Sequence, residues 1–458
     1  MAIIAPFRGL RFNPEKINRL EDVVTPPYDV ISPEEGLKFL EKNTYNMIKL
    51  DLRNTSHNEE ADIGRYEQAK DLFEEWQQEE ILIRDRQPAI YLYYIDYIHP
   101  SGRRMTRKGL IGLVRLADFS EGVVKPHEKT FDAVISERMQ LMEKCRAQFS
   151  KVFSIYPDEH HTVITALEQA REEQPLCTVK DHLGNHHTLW RVTDKDAIRE
   201  VAGYFRERPV YIADGHHRYT TALGSLKKIL AEHPDLPEDS PYNFIMMYLC
   251  AAEDEGLSVL PTHRLLSFPG ILSADQLMEK MQGEFLVEEI KGGSREILVA
   301  EVMARMNESE MSLPNPVFGV FHPGEDRCFL LTMKSDPERC SSLADKPAVL
   351  KKLDVVVLSE VLLHRVLGLN HMRIVNEKLI IYFSDPDEAI DVAVKKSIAG
   401  DTLTPLLFLL NPTKVRQVID VADQGEIMPH KSTYFYPKIM TGLLINKLVP
   451  VEKIITAA

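Results

Sequence analysis

The chain has 458 residues, 44% of them hydrophobic and 27% charged, with a formal net charge of -14. This length calls for two or three folded units with real cores, and the acidic balance excludes a general nucleic-acid binder, which needs clustered Lys and Arg against phosphate. Cys145, Cys177, Cys250, Cys328 and Cys340 lie far apart and form no Cys-x-x-Cys pair, so neither a disulfide framework nor a zinc site is expected.

In chain order, the opening MAIIAPFRGLRF breaks its apolar run at Pro6 and Arg8, too early for a secretory core. No later run reaches the ~20 apolar residues of a membrane span, so a cytoplasmic protein is expected. TPPYDVIS (25–32) follows, where Pro26 and Pro27 stiffen the approach to Tyr28 and Asp29; such a loop either positions a ligand or covers a sheet edge. Residues 87–98 and 107–119 read as strands joined by the turn-like HPSGRR, a hairpin. GVVKPHEKTF (122–131) sets Pro126 after a strand and leaves His127, Glu128, Lys129 and Thr130 in a constrained loop. There a carboxylate beside basic side chains suits a general base, and a solvated turn is the plainer alternative.

Residues 163–174 and 194–208 carry apolar side chains at helical spacing, with Asp194 placed to cap the second helix. A short strand, 209–213, leads into DGHHR and then into a helix whose stripe is Tyr219, Ala222, Leu223, Leu226 and Ile229. The acidic, proline-rich stretch 232–243 marks the expected division into 1–235 and 236–458. Beyond it strands and helices mix without a βαβ rhythm, so the fold class is α+β with mixed sheets. Two further stretches stand out. LPTHRLL presents His263 and Arg264 after a strand, as phosphate donors or as a buried polar cap; GEIMPHKSTYFYPK packs Lys431, Ser432 and Thr433 between prolines, where hydroxyls and an amine suit a carboxylate or phosphate.

The DGHHR string carries the sharpest chemistry. A helix begins with backbone N–H groups that have no helical acceptor and with the positive end of its dipole, so strand, glycine and helix start make a seat for phosphate. Gly215 lets the backbone approach closely, His216, His217 and Arg218 add donors, and Asp214 caps the helix or holds a hydrated Mg²⁺. No Walker loop occurs, and neighbouring histidines in one turn point about 100° apart, which does not make a zinc site.

The order Lys125-Pro126-His127-Glu128, then Asp214-Gly215-His216-His217-Arg218, then Pro429 with Lys431-Ser432-Thr433, resembles the free serine kinases of the ParB/sulfiredoxin-like superfamily. The resemblance implies a ParB/sulfiredoxin-like core. It also implies that Glu128, with His127 beside it, takes the serine hydroxyl proton; that Asp214 to Arg218 hold nucleotide phosphates and metal; and that Lys431, Ser432 and Thr433 meet the substrate carboxylate. The chain departs from the kinase pattern at Tyr434 and Phe435, where those enzymes have Arg-His. Over nearly its full length the chain also looks like the family labelled domain of unknown function 1015, through APFRGLRF, VVTPPYDVIS, KPHEKTF, ADGHHRYTTAL, LPTHRLL, LDVVVLSEVLL and MPHKSTYFYPK.

The expected activity is therefore phosphoryl transfer from ATP, ADP or pyrophosphate, with Mg²⁺, to the hydroxyl of free L-serine. A ParB-like nucleotide-binding regulator that transfers nothing, and a phosphatase or nuclease using the same histidines, are the other classes the residues allow. The partners are small molecules, and neither a membrane nor nucleic acid is expected among them.

Overall fold

Apolar residues at every second position build the sheet that carries the sequence motifs. Ile90, Leu92 and Tyr94 alternate along one strand and Ile245, Met247, Leu249 and Ala251 along another, and all seven join a single buried cluster. The structure, a computed structural model, describes residues 2–51, 59–312, 315–398 and 403–456. The chain divides into two compact units, Met1–Ser258 with Pro437–Ala458, and Val259–Tyr436.

The first unit is organised on a nine-stranded mixed sheet. Its strands are β1 (Ile4–Ala5), β2 (Ile90–Ile98), β3 (Arg104–Arg115), β4 (Val124–Lys125), β5 (Val152–Tyr156), β6 (Cys177–Lys180), β7 (His186–Val192), β8 (Val210–Asp214) and β9 (Phe244–Ala251). They lie in the order β4-β8-β5-β9-β3-β2-β7-β6, with β1 pairing β3. Strands β2 and β3 form the expected hairpin, closed by the His99 N–H to Arg103 carbonyl bond of 2.8 Å.

Six longer helices belong to this unit: α1 (Pro33–Lys42), α2 (Glu59–Gln78), α3 (Asp132–Cys145), α4 (Thr162–Ala170), α5 (Lys195–Phe205) and α6 (His216–Glu232). Asp194 caps α5 as expected, accepting from the Asp196 and Ala197 N–H groups. Leu167 of α4, Val201 and Phe205 of α5, and Tyr219, Ala222, Leu223 and Leu226 of α6 pack on the alternating face of the sheet. The other face is aromatic and charged. Arg107 lies 4.8 Å from the Phe153 ring centre and 5.5 Å from that of Tyr248.

The expected division at 235/236 is displaced to 258/259 for a simple reason. The 232–243 stretch leads straight into β9, which lies inside the sheet between β5 and β3, so cutting there would split a core. The C-terminal segment from Pro437 is also part of the first unit. Its Pro437 carbonyl accepts from Arg107 at 2.7 Å, and its Met440 carbonyl accepts from Lys151 at 2.8 Å.

The second unit is a six-stranded sheet of β10 (His263–Pro269), β11 (Phe285–Ile290), β12 (Val317–His322), β13 (Arg327–Met333), β14 (Ile380–Phe383) and β15 (Leu403–Leu409), in the order β11-β13-β12-β15-β10-β14. Helices α7 (Ala274–Met281), α8 (Arg295–Ser312), α9 (Pro386–Ile398) and α10 (Val415–Asp423) accompany it. Val299, Val302 and Met306 of α8 and Ala389, Ile390 and Ala393 of α9 share a core with Leu265, Phe321 and Leu407. The fold class is α+β. All five cysteines are free, and among the described residues no helix is long and apolar enough to cross a membrane.

Candidate functional site

Two motifs 85 or more residues apart in sequence meet because their strands are parallel neighbours. Val210 pairs with Val124 and Tyr211 with Lys125, so the loop after β4 and the helix start after β8 leave the sheet at the same end. Carboxyl ends of adjacent parallel strands are where open sheets bind ligands.

The loop is held there by the two histidines of DGHHR. His216 Nε2 accepts the His127 N–H at 3.2 Å, and His217 Nε2 accepts the Phe131 N–H at 3.1 Å. His127 in turn donates from Nδ1 to the Ile212 carbonyl at 2.8 Å. Ring contacts reinforce both grips: His127 and His216 meet edge to face at 4.6 Å, and His217 stacks on Phe131 at 5.7 Å. Glu128, half-buried, therefore sits between two clasped points of backbone.

This arrangement gives the histidines a structural part in holding the loop. A ring nitrogen that accepts from a backbone N–H carries no proton, so neither Nε2 is a charged donor to phosphate. Burial agrees, pushing His127 down to about 4 and His216 well below the ordinary histidine range. His127, His216 and His217 together fix the loop backbone on either side of Glu128.

Gly215 starts α6 in the left-handed region at φ 94°. A Cβ there would come 2.9 Å from Nε and Cζ of Arg218, so the guanidinium packs where only glycine leaves room. Arg218 donates from Nη2 to Asp214 at 2.9 Å and from Nη1 to the Lys151 carbonyl, and it lies 4.0 Å from Asp29. Its Nε is buried without a hydrogen-bond partner. Burial disfavours the charge of Arg218, but Asp214 and Asp29 outweigh burial and raise its pKa.

The same neighbourhood contains two lysines to which the sequence alone assigns no role, and the TPPYDVIS loop. Lys438 reaches the second oxygen of Asp214 at 3.3 Å. Lys151, 1% exposed, is pushed down to about 7 by burial and then by Arg218. Tyr28 brings the TPPYDVIS loop in: it lies under the Arg138 guanidinium at 3.8 Å and, with Asp51, Ser150, Arg218 and Thr221, lines a chamber of about 60 Å³. Arg138 is paired with Asp51 at 2.8 Å. The nearest sequence signal for Lys151 is a lone lysine directly before the mostly apolar strand VFSIY, and Lys438 closes the quoted GEIMPHKSTYFYPK stretch.

A protein-held Mg²⁺ does not fit Asp214. Both its oxygens face cations, and no group of three or more His, Cys, Asp or Glu suited to a metal occurs among the described residues. No chemical step below passes through a metal.

The remaining expected site residues belong to the second unit. Ser432 is buried and donates to the Pro429 carbonyl at 2.5 Å, while its own carbonyl accepts from Thr413 at 2.8 Å. Lys431 adopts φ 58° and is exposed, and Thr433 is half-buried. His263 and Arg264 open β10. The Arg264 guanidinium lies 5.6 Å from the Tyr382 ring centre, and Tyr382 meets His430 at 6.4 Å, so the LPTHRLL and MPHKST stretches share a neighbourhood.

Fold and site together define an α+β protein with a histidine-clasped loop beside a glycine-started helix. Residues 4–356 match the family model described as "Protein of unknown function (DUF1015)", and the chain belongs to that family. No curated protein matches it. Among solved structures it is similar to a free serine kinase in complex with AMP, at 13% identity and TM-score 0.33, covering 70% of this chain and 89% of that one. It is also similar to SbnI with a C-terminal truncation from Staphylococcus aureus, at 10% identity and TM-score 0.34, covering 73% and 86%. A conserved hypothetical protein from Pyrococcus furiosus gives 13% identity and TM-score 0.31, covering 70% and 93%. Likeness at this level transfers no residue roles.

Proposed function

We propose that the first unit is a phosphotransferase site of ParB/sulfiredoxin-like kind that moves a terminal phosphoryl group from a nucleotide or pyrophosphate to the hydroxyl of free L-serine. The observation that carries the reading is the clasp. Two histidines spend their acceptor nitrogens on fixing the backbone around one carboxylate, Glu128, at the strand ends beside the helix start. A solvated turn has no need of such bracing.

In the reaction, Glu128 takes the proton of the serine hydroxyl as its oxygen forms a bond to the terminal phosphorus. The bond from phosphorus to the donor's bridging oxygen breaks, and that oxygen leaves on the shortened donor. Because phosphoryl transfer depends on position and charge neutralisation, the seat at Gly215 supplies backbone N–H groups of the first helical turn. Arg218 and Lys438, both held on Asp214, lie beside it.

The test is incubation of the full chain with L-serine and ATP, ADP or pyrophosphate in turn, scored for O-phosphoserine. Glu128→Gln should lower turnover by ~100-fold or more while donor binding stays within a few-fold, since removing a general base costs roughly 10²–10⁴. Donor binding without phosphoserine from the wild type would replace this reading with the regulatory one.

A further inference from the structure

We infer that the second unit holds an oxyanion receptor of its own, built on Arg264 and Thr262 at the start of β10, which takes a small carboxylate or phosphate group. Arg264 is 2% exposed. It donates from Nη1 to the Thr262 carbonyl at 3.0 Å, rests on the Tyr382 ring, and makes no ion pair among the described residues. Buried guanidinium groups are ordinarily paired, because desolvating a charge with no partner is costly. Arg138 with Asp51 and Arg218 with Asp214 follow that rule in the first unit. Arg264 breaks it, and burial with no nearby carboxylate pulls its pKa down to about 10, still well above neutrality.

A second orphan sits beside it. Thr262 is 7% exposed, and its Oγ1 is buried without a hydrogen-bond partner. Thr262 immediately precedes β10 and gives its carbonyl to Arg264 Nη1. Within the strand, alternation sends His263 to the side opposite Arg264, where Leu265 enters the core. Tyr382 and Phe408 stand opposite Arg264 in the two neighbouring strands. These flanks are largely apolar, which strengthens any charge contact made between them. The result is a cluster of donors, one of them a permanent cation, with one backbone carbonyl as its acceptor. Anchoring that carbonyl alone would need a single neutral N–H. A fork of N–H groups with a hydroxyl beside it matches the paired oxygens of a carboxylate or phosphate.

The proposal stands independently of phosphoserine formation. Sodium phosphate and sodium acetate are titrated into the full chain at fixed ionic strength made up with sodium chloride, and amide exchange is followed in 262–266 and 380–383. Protection by either anion, at least about tenfold weaker in affinity for Arg264→Met and for Arg264→Lys, is the expected result. The anion that protects identifies the class. Arg218→Met should leave this protection in place. Without added anion, Arg264→Met should melt at the wild-type temperature or above it, since it removes an unpaired buried charge. No protection by either anion, equal protection in Arg264→Met, or a lower melting temperature for that variant without anion would overturn the proposal.

Discussion

Two short strings, Asp-Gly-His-His-Arg in the first unit and Thr-His-Arg in the second, use the same side chains and reach opposite electrostatic ends. At 214–218 the arginine is neutralised by Asp214, and both histidines have their Nε2 atoms occupied by backbone N–H groups. At 262–264 the arginine has no carboxylate partner among the described residues, and His263 accepts from the Leu410 N–H at 3.2 Å while its Nε2 is buried without a hydrogen-bond partner. Residue type therefore does not decide whether a His-Arg pair binds, braces or waits; the neighbours do. The first string is largely satisfied by its own fold. In the second the donors outnumber their acceptors.

The largest effect that tests this contrast is on stability. Arg218→Met should cost about 3 kcal/mol, because it strips one cation from a partly buried carboxylate and abandons the Lys151 carbonyl. Arg264→Met, with no carboxylate to abandon, should cost little or nothing in buffer free of carboxylate and phosphate. Denaturant unfolding of the two variants side by side gives the comparison directly. Similar losses at both positions would erase the distinction between a paired and an unpaired arginine.

A smaller effect follows from the buried imidazoles. His127 and His263 are each held down to about 4 against an ordinary value of 6.5 by burial, so the unfolded chain binds more protons than the folded one between those limits. The stability tied to them is fully present above about pH 6.5 and is lost as pH falls toward 4. The slope is up to about 1.4 kcal/mol per pH unit for each ring. His127→Gln should flatten that dependence in the first unit while leaving the contribution of His263. Unfolding curves between pH 4 and 7 check it, and an unchanged slope would mean that the buried ring at 127 is not the source.

What the sequence shows of all this depends on range. The β2–β3 hairpin, the Asp194 cap and the α6 stripe are local, and period and turn chemistry reveal them. Tyr66, Ala69, Phe73 and Trp76 also carry a helical spacing that the chain-order reading leaves out, and they are buried in α2. The clasp is different. Strand β4 is only two residues long, too short for any period, and His127 meets His216 across 89 positions. The motif string marks a helix start, but only the pairing of β4 with β8 brings its histidines onto the loop they clasp. Lys438 and Lys151 are likewise invisible, since each is a single lysine whose meaning comes from a long-range partner. The domain boundary fails for a related reason: proline and acid mark an exposed connection, and an exposed connection can run between two elements of one sheet.

The smallest expected effect separates the two braces from each other. His216 is 4% exposed and grips His127, which is wholly buried, whereas His217 is half-buried and grips the exposed Phe131. The bond from the Phe131 N–H can be taken over by water, so His217→Ala should cost under about 1 kcal/mol. Its mark should instead be local: the Phe131 amide exchanges faster while that of His127 stays protected. Glu128 lies between these two amides, and loosening one end of its loop should reduce turnover far less than Glu128→Gln does. If exchange at Phe131 is unchanged in His217→Ala, the second grip contributes nothing. The bracing of Glu128 then rests on His216 alone, and the first string would carry one histidine whose acceptor is dispensable, narrowing its difference from the second.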